Sequence, residues 1–172
     1  MNSVMPTMYH YVGPPEILTR NRAAPKGVPI RTGDDLRAWI KATGQQHAPQ
    51  IVATYVIDKD NLLLIADRRS EHVACAGSEP VLSAGEMTFL VDGDELEVID
   101  VSNQSTGYCP EPESWSHVAL ALDRIPIKHP GRFTQEIVFR RCSSCDQVNV
   151  VKDNWFVCLF CGKELPTQWN VD

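Results

Sequence analysis

Residues 51–67 read Ile51-Val-Ala-Thr-Tyr55-Val-Ile57-Asp58-Lys59-Asp60-Asn61-Leu62-Leu-Leu-Ile65-Ala-Asp67. Two runs rich in β-branched, aromatic and leucine side chains, 51–57 and 62–67, flank the polar turn Asp58-Lys59-Asp60-Asn61, and this is the pattern of two strands joined directly. The same pattern returns at 81–91 and 95–101, around Asp92-Gly93-Asp94, with Leu96, Val98 and Val101 as the apolar positions. Residues 73–76 are a short continuation or a third strand. Strands that follow strands without an intervening helix predict an antiparallel sheet, not a doubly wound one. Two helices flank the strand region. The first is capped by Asp34, runs through Leu36, Trp39 and Ile40, and stops at Gly44. The second starts at Glu113 or Ser114 and carries Trp115, Val118, Ala119 and Leu122 three and four apart. The expected fold is α+β: a mainly antiparallel sheet with two flanking helices, followed by a small C-terminal module holding four cysteines.

The remaining chain divides around this centre. Five of the twelve prolines, Pro6, Pro14, Pro15, Pro25 and Pro29, fall in residues 1–33, which predicts an extended N-terminal arm. Residues 34–139 form the α+β domain, in which 133–139 is a last strand, and residues 140–172 form the C-terminal module. A length of 172 residues suits one domain with such an appendage. The longest apolar runs, 62–66 and 118–122, fall far short of the ~20 residues that cross a bilayer. The opening Met1-Asn2-Ser3-Val4-Met5-Pro6 lacks the basic and apolar parts of a secretory signal, so a cytoplasmic protein without membrane contact is expected. The net charge of -6 is uneven: residues 1–50 carry +3, residues 51–123 carry -11, and residues 124–172 carry +2. So acidic a middle repels phosphate and makes the central domain a poor nucleic-acid platform. Arg124, Lys128, Arg132, Arg140 and Arg141 offer a local basic patch or an ordinary solvated surface.

Four of the six cysteines are paired as Cys142-Ser-Ser-Cys145 and Cys158-Leu-Phe-Cys161, with twelve residues between the pairs. Two such knuckles supply four thiolates, and a hairpin between them brings the pairs around one Zn²⁺. Residues 148–151 and 155–157 are β-like, Lys152-Asp153-Asn154 is their turn, and Gly162 stands where a tight turn is wanted. Disulfides conflict with a cytoplasmic composition. A redox Cys-x-x-Cys stands alone beside a βαβ pattern, and the hairpin spacing suits zinc better than an iron–sulfur cluster. Four thiolates close the site and leave no position for water, so the zinc is structural. It should contribute on the order of 10 kcal/mol to folding the module.

The stretch Phe156-Val-Cys158-Leu-Phe-Cys161-Gly162 is similar to the second half of the zinc-ribbon family of structural zinc modules. The resemblance covers residues 140–166. Asp146 departs from it, since such modules often have Gly after the first knuckle. Zinc ribbons bind nucleic acid, bind protein or brace a fold, so the resemblance leaves that choice open.

Two other segments carry polar chemistry. Ser102-Asn103-Gln104-Ser105-Thr106-Gly107-Tyr108-Cys109-Pro110-Glu111 leaves a strand and enters a helix, a common place for ligand-binding groups. Asn103, Gln104, Ser105 and Tyr108, with Arg68 or Arg69 opposite, are its candidate ligand-binding residues. The alternative is a turn in which Asn103, Ser105 and Thr106 bond their own backbone, with Tyr108 and Cys109 buried. The second segment, 67–75, brings Glu71 and His72; with Cys109 as nucleophile they form the minimum for Cys–His catalysis. The His-x-Glu and Pro-Cys-x-x-Cys pairing of zinc deaminases is missing, as are the common nucleotide and hydrolase fingerprints. The leading expectation is therefore a cytoplasmic zinc-binding protein acting as a binding, adaptor or regulatory module, through a polar pocket and a ribbon that docks a protein partner. A small polar ligand is a further expected partner. The alternatives are an enzyme using the polar segment near His72, and a nucleic-acid binder using Arg140, Arg141, Lys152 and Trp155.

Overall fold

The computed structural model describes residues 4–172, so the first three residues of the expected arm lie outside it. The two strand pairs form as their periodicity predicts, and they build one antiparallel sheet. Strands β1 (Val28–Ile30), β2 (Gln50–Ile57), β3 (Leu63–Asp67), β4 (Ser83–Asp92) and β5 (Glu95–Val101) stand in the order β1-β3-β2-β4-β5. The β2–β3 pairing runs from Ala53 opposite Asp67 to Ile57 opposite Leu63, and β4 pairs along the whole of β2. A second, two-stranded sheet joins β6 (Val138–Arg141) to β7 (Val148–Val151).

Alternation along β2 sends side chains to two cores. Ile51, Ala53, Tyr55 and Ile57 pack with Leu36, Trp39 and Ile40 of α2 (Gly33–Ala42) and with Val118, Ala121 and Leu122 of α4 (Trp115–Arg124). Val56 faces the other way, onto Val73, Cys75, Ala76 and Tyr108. The central strand is thus buried on both faces, which explains why residues 51–57 are almost all apolar. At Gly85 of β4 an added Cβ would stand 2.0 Å from the Ser102 carbonyl oxygen, so this position requires the bare backbone.

Several expectations are corrected. The α2 cap is Thr32, not Asp34: its hydroxyl accepts from Asp35 N–H and the Asp35 carboxylate accepts from Thr32 N–H, a capping box. The possible strand at 73–76 is instead a one-turn helix, α3 (His72–Cys75). Val73, Ala74 and Cys75 are all buried, so the run is apolar in either conformation, and four residues are too few to display a period. The second flanking helix starts at Trp115 after a 3₁₀ turn at Pro112–Ser114. The proline-rich start includes α1 (Pro15–Asn21), with proline at its first position where no N–H is missed, and β1. β1 tolerates Pro29 because it lies at the sheet edge. The strand expected over 133–139 begins only at Val138. The stretch before it still follows β5, with Thr134 N–H bonded to Val101 O at 2.9 Å. No helix among the described residues is long and apolar enough to cross a membrane.

Candidate metal centre

The four thiols converge as the knuckle spacing predicts. The Sγ atoms of Cys142, Cys145, Cys158 and Cys161 lie within 4.8 Å of one another. The shortest approaches, 3.6 Å, run between the knuckles, from Cys142 to Cys161 and from Cys145 to Cys158. Four sulfurs at ~2.3 Å from one tetrahedral ion stand about 3.8 Å apart, so the cluster has the size of a metal site before any rearrangement.

Local backbone chemistry builds the site. Each knuckle folds back through a chain N–H: Asp146 N–H bonds Cys142 O and Gly162 N–H bonds Cys158 O, both at 2.9 Å. Both residues that follow the knuckles adopt left-handed backbone, Asp146 at φ 63° and Gly162 at φ 73°. The aspartate that departs from the ribbon pattern therefore takes the conformation glycine would take, at a modest cost for a short polar side chain. The turn after β7 has Asp153 at φ 53° and Asn154 at φ 56°, with Trp155 N–H on Lys152 O at 3.0 Å. The expected hairpin of 148–151 with 155–157 is corrected, because β7 pairs with β6 and Val157 bridges Glu164 instead.

Donors also surround the sulfurs. Asn149 on β7 is buried; its Nδ2 reaches Cys158 Sγ at 3.4 Å and its Oδ1 accepts Leu159 N–H at 2.8 Å. Burial opposes ionisation of Cys158, but N–H groups of Cys161 and Phe160 and the Asn149 amide outweigh it and hold the thiol down to about 6. At Cys142 the Cys145 N–H lowers the thiol most. At Cys145 the Gln147 N–H pulls the thiol down, but burial and the neighbouring sulfurs outweigh it and push it up to about 12, and Cys161 is raised as well. Two of the four thiols are thus predisposed to the thiolate form that a soft cation takes. Asn149 was missed in the sequence; its signal was a lone amide among the valines of β7.

The polar segment has a different role from the one expected. Asn103 is fully buried and clamps two distant backbones: its Nδ2 donates to Pro110 O at 2.8 Å and Ile137 O at 2.7 Å, and its Oδ1 accepts Ile137 N–H at 2.7 Å. Cys109 is buried with Phe139 and Val171, and Trp169 Nε1 donates to Cys109 O at 2.9 Å. Next along the chain, Glu111 meets Arg140 at 2.7 Å, and Arg140 also donates to Thr167 O at 2.9 Å and lies over the Phe156 ring. Burial holds the Glu111 carboxyl above its usual range although Arg140 pulls it down. Residues 103–111 are thus the joint onto which the four-cysteine hairpin and the chain end are seated. Glu111, Trp169 and Asn170, which bonds both N–H and O of Arg141, are parts of that joint with no local sequence signal.

The other candidates share no side-chain partner. Ser105 is buried, and its Oγ is the one buried side-chain polar atom without a partner among the described residues. Tyr108 is buried and donates to Glu79 O at 2.9 Å, while Gln104 and Arg68 are exposed. Among the described residues no hydrogen bond joins His72 or Glu71 to Cys109. The Cys109 thiol donates to Thr106 O, and burial pushes it up to about 12, the opposite of an activated nucleophile. His72 Nε2 lies 2.9 Å from Gly85 O, and burial lowers its basicity; Glu71 is exposed. Asn103 and Cys109, expected to line a pocket opposite Arg68, Glu71 and His72, spend their polar atoms on backbone groups inside the joint.

No protein-family model matches the chain, and no curated protein and no solved structure matches it.

Proposed function

We propose that this chain is a zinc-binding protein whose residues 140–172 form a Cys₄ zinc ribbon, serving as an adaptor module that docks a protein partner. The observation that carries the reading is the convergence of four thiols within 4.8 Å from two Cys-x-x-Cys knuckles. Cys142, Cys145, Cys158 and Cys161 hold Zn²⁺, and the ion supplies a covalent-strength cross-link for a hairpin too small to build its own core. A complete set of four thiolates leaves no open coordination position, so the metal braces the hairpin and does no chemistry. Asn149 orients Cys158 from outside the ligand set. Such a site suits a reducing, cytoplasmic setting.

The docking role rests on what the brace presents. Trp155 beside the hairpin turn and Leu159 and Phe160 within the second knuckle are largely exposed, which is unusual for side chains of this size on a rigid frame. Elemental analysis of purified protein should find close to one zinc per chain, and Cys161→Ser should lower that content. Absence of zinc, or the visible absorption of an iron–sulfur cluster, would overturn the reading.

A further inference from the structure

We infer that a cavity where the end of β2, the chain after α3 and the N-terminal segment meet binds a small amphipathic anion, a carboxylate on a short apolar tail. Its volume is about 560 Å³, within the range of small-molecule pockets, and four other clefts measure only about 340–470 Å³. Val56, Ala76 and Val81 are buried and make its floor, with half-buried Met8 and Pro80 beside them, while Lys26, Lys59 and Glu79 are exposed at its mouth. The walls are fixed without a ligand. Val56 pairs on both sides, with Leu64 of β3 and Ala84 of β4. Tyr9 and Val81 exchange backbone hydrogen bonds of 2.7 and 2.9 Å, and Tyr108 Oη donates to Glu79 O at 2.9 Å. Lys26 lies along the backbone of Gly77, where an added Cβ would stand 3.1 Å from Lys26 Cδ.

The charges at the mouth choose the ligand. Neither lysine makes an ion pair among the described residues. Asp58, the other acid lining the cavity, spends its Oδ1 on the N–H groups of Asp60 and Leu62, both at 2.9 Å. Two ammoniums then stand against one uncommitted carboxylate, Glu79, and the surplus is cationic. A single negative group on the ligand satisfies it, through charge-assisted hydrogen bonds from the lysines. The buried floor asks for something more than charge. An inorganic anion leaves Val56, Ala76 and Val81 uncovered, and a plain hydrocarbon makes no use of the ammoniums. A carboxylate with an apolar tail uses both, its tail on the floor and its head at Lys26 and Lys59. None of the lining residues belongs to the four-cysteine hairpin, so this site goes beyond the zinc reading and does not depend on it.

Isothermal titration calorimetry of the full chain with sodium octanoate tests this, and NMR locates the ligand. One octanoate should bind per chain. Affinity should rise roughly fourfold for each methylene from butanoate to octanoate, the gain expected of a buried CH₂. Intermolecular NOEs should connect the tail to the methyl groups of Val56, Ala76 and Val81. Octylammonium, with the same tail and the opposite charge, should bind at least several-fold more weakly. Lys26→Gln combined with Lys59→Gln should weaken octanoate several-fold and leave Tm unchanged, since both side chains are exposed. No binding at low-millimolar octanoate would overturn the inference. So would NOEs to another part of the chain, an affinity indifferent to tail length, equal binding of octylammonium, or an affinity unchanged in the double lysine variant.

Discussion

Replacing Asn103 with alanine should cost the protein about 3 kcal/mol of stability and leave its metal content unchanged. The side chain is fully buried and makes three hydrogen bonds of 2.7–2.8 Å, two to the backbone of Ile137 and one to Pro110 O. At a net worth of about 1 kcal/mol each, their loss gives about 3 kcal/mol. The full desolvation penalty of the abandoned groups would be larger, but Ile137 is only half-buried and water can reach part of the vacated space. For a chain of this size the loss should lower Tm by about 6–12 °C. Asn103→Asp is an instructive companion. It keeps an acceptor for Ile137 N–H yet sets a carboxylate against two carbonyl oxygens, so it should be at least as damaging. Thermal unfolding followed by circular dichroism, with urea titration as a check on the slope, reads both variants. A loss below about 1 kcal/mol for Asn103→Ala, within the range of ordinary surface substitutions, would refute the claim that this side chain clamps the joint.

Two further outcomes follow from the thiols. Burial pushes Cys75 and Cys109 up to about 12, so at pH 8 almost none of either is thiolate, and both should alkylate far more slowly than free cysteine in the folded chain and at ordinary rates in urea; fast labelling of folded Cys109, read by mass spectrometry, would contradict its placement. Protons compete with metal for all four ligands, so zinc should be retained at neutral pH and released on acidification; a chromogenic chelator in an acid titration measures it, and release that instead increased with rising pH would contradict thiolate ligation.

What could be read in advance depended on how local the deciding interaction is. The β2–β3 and β4–β5 pairs were legible because period-two runs and their turns lie within about twenty residues of sequence, and the antiparallel α+β class follows from them. The four cysteines were legible because ligand spacing is itself the signal. The edge strand Val28–Ile30 was hidden by Pro29, whose missing N–H matters only in a strand bonded on both sides. Residues 103–109 misled for a different reason. An amide that binds a ligand and an amide that binds a distant backbone look alike in sequence, and the partner here, Ile137, is thirty-four residues away. The pairing of Glu111 with Arg140 and the seating of Trp169 on Cys109 are likewise long-range, so no local pattern announces them.

X-ray absorption at the zinc K-edge of the purified, untreated protein tests the central claim most directly. The account predicts a single shell of four sulfur scatterers at ~2.3 Å, with one zinc per chain. A shell containing nitrogen or oxygen ligands, or a chain that carries no zinc when all four cysteines are intact and reduced, would contradict it.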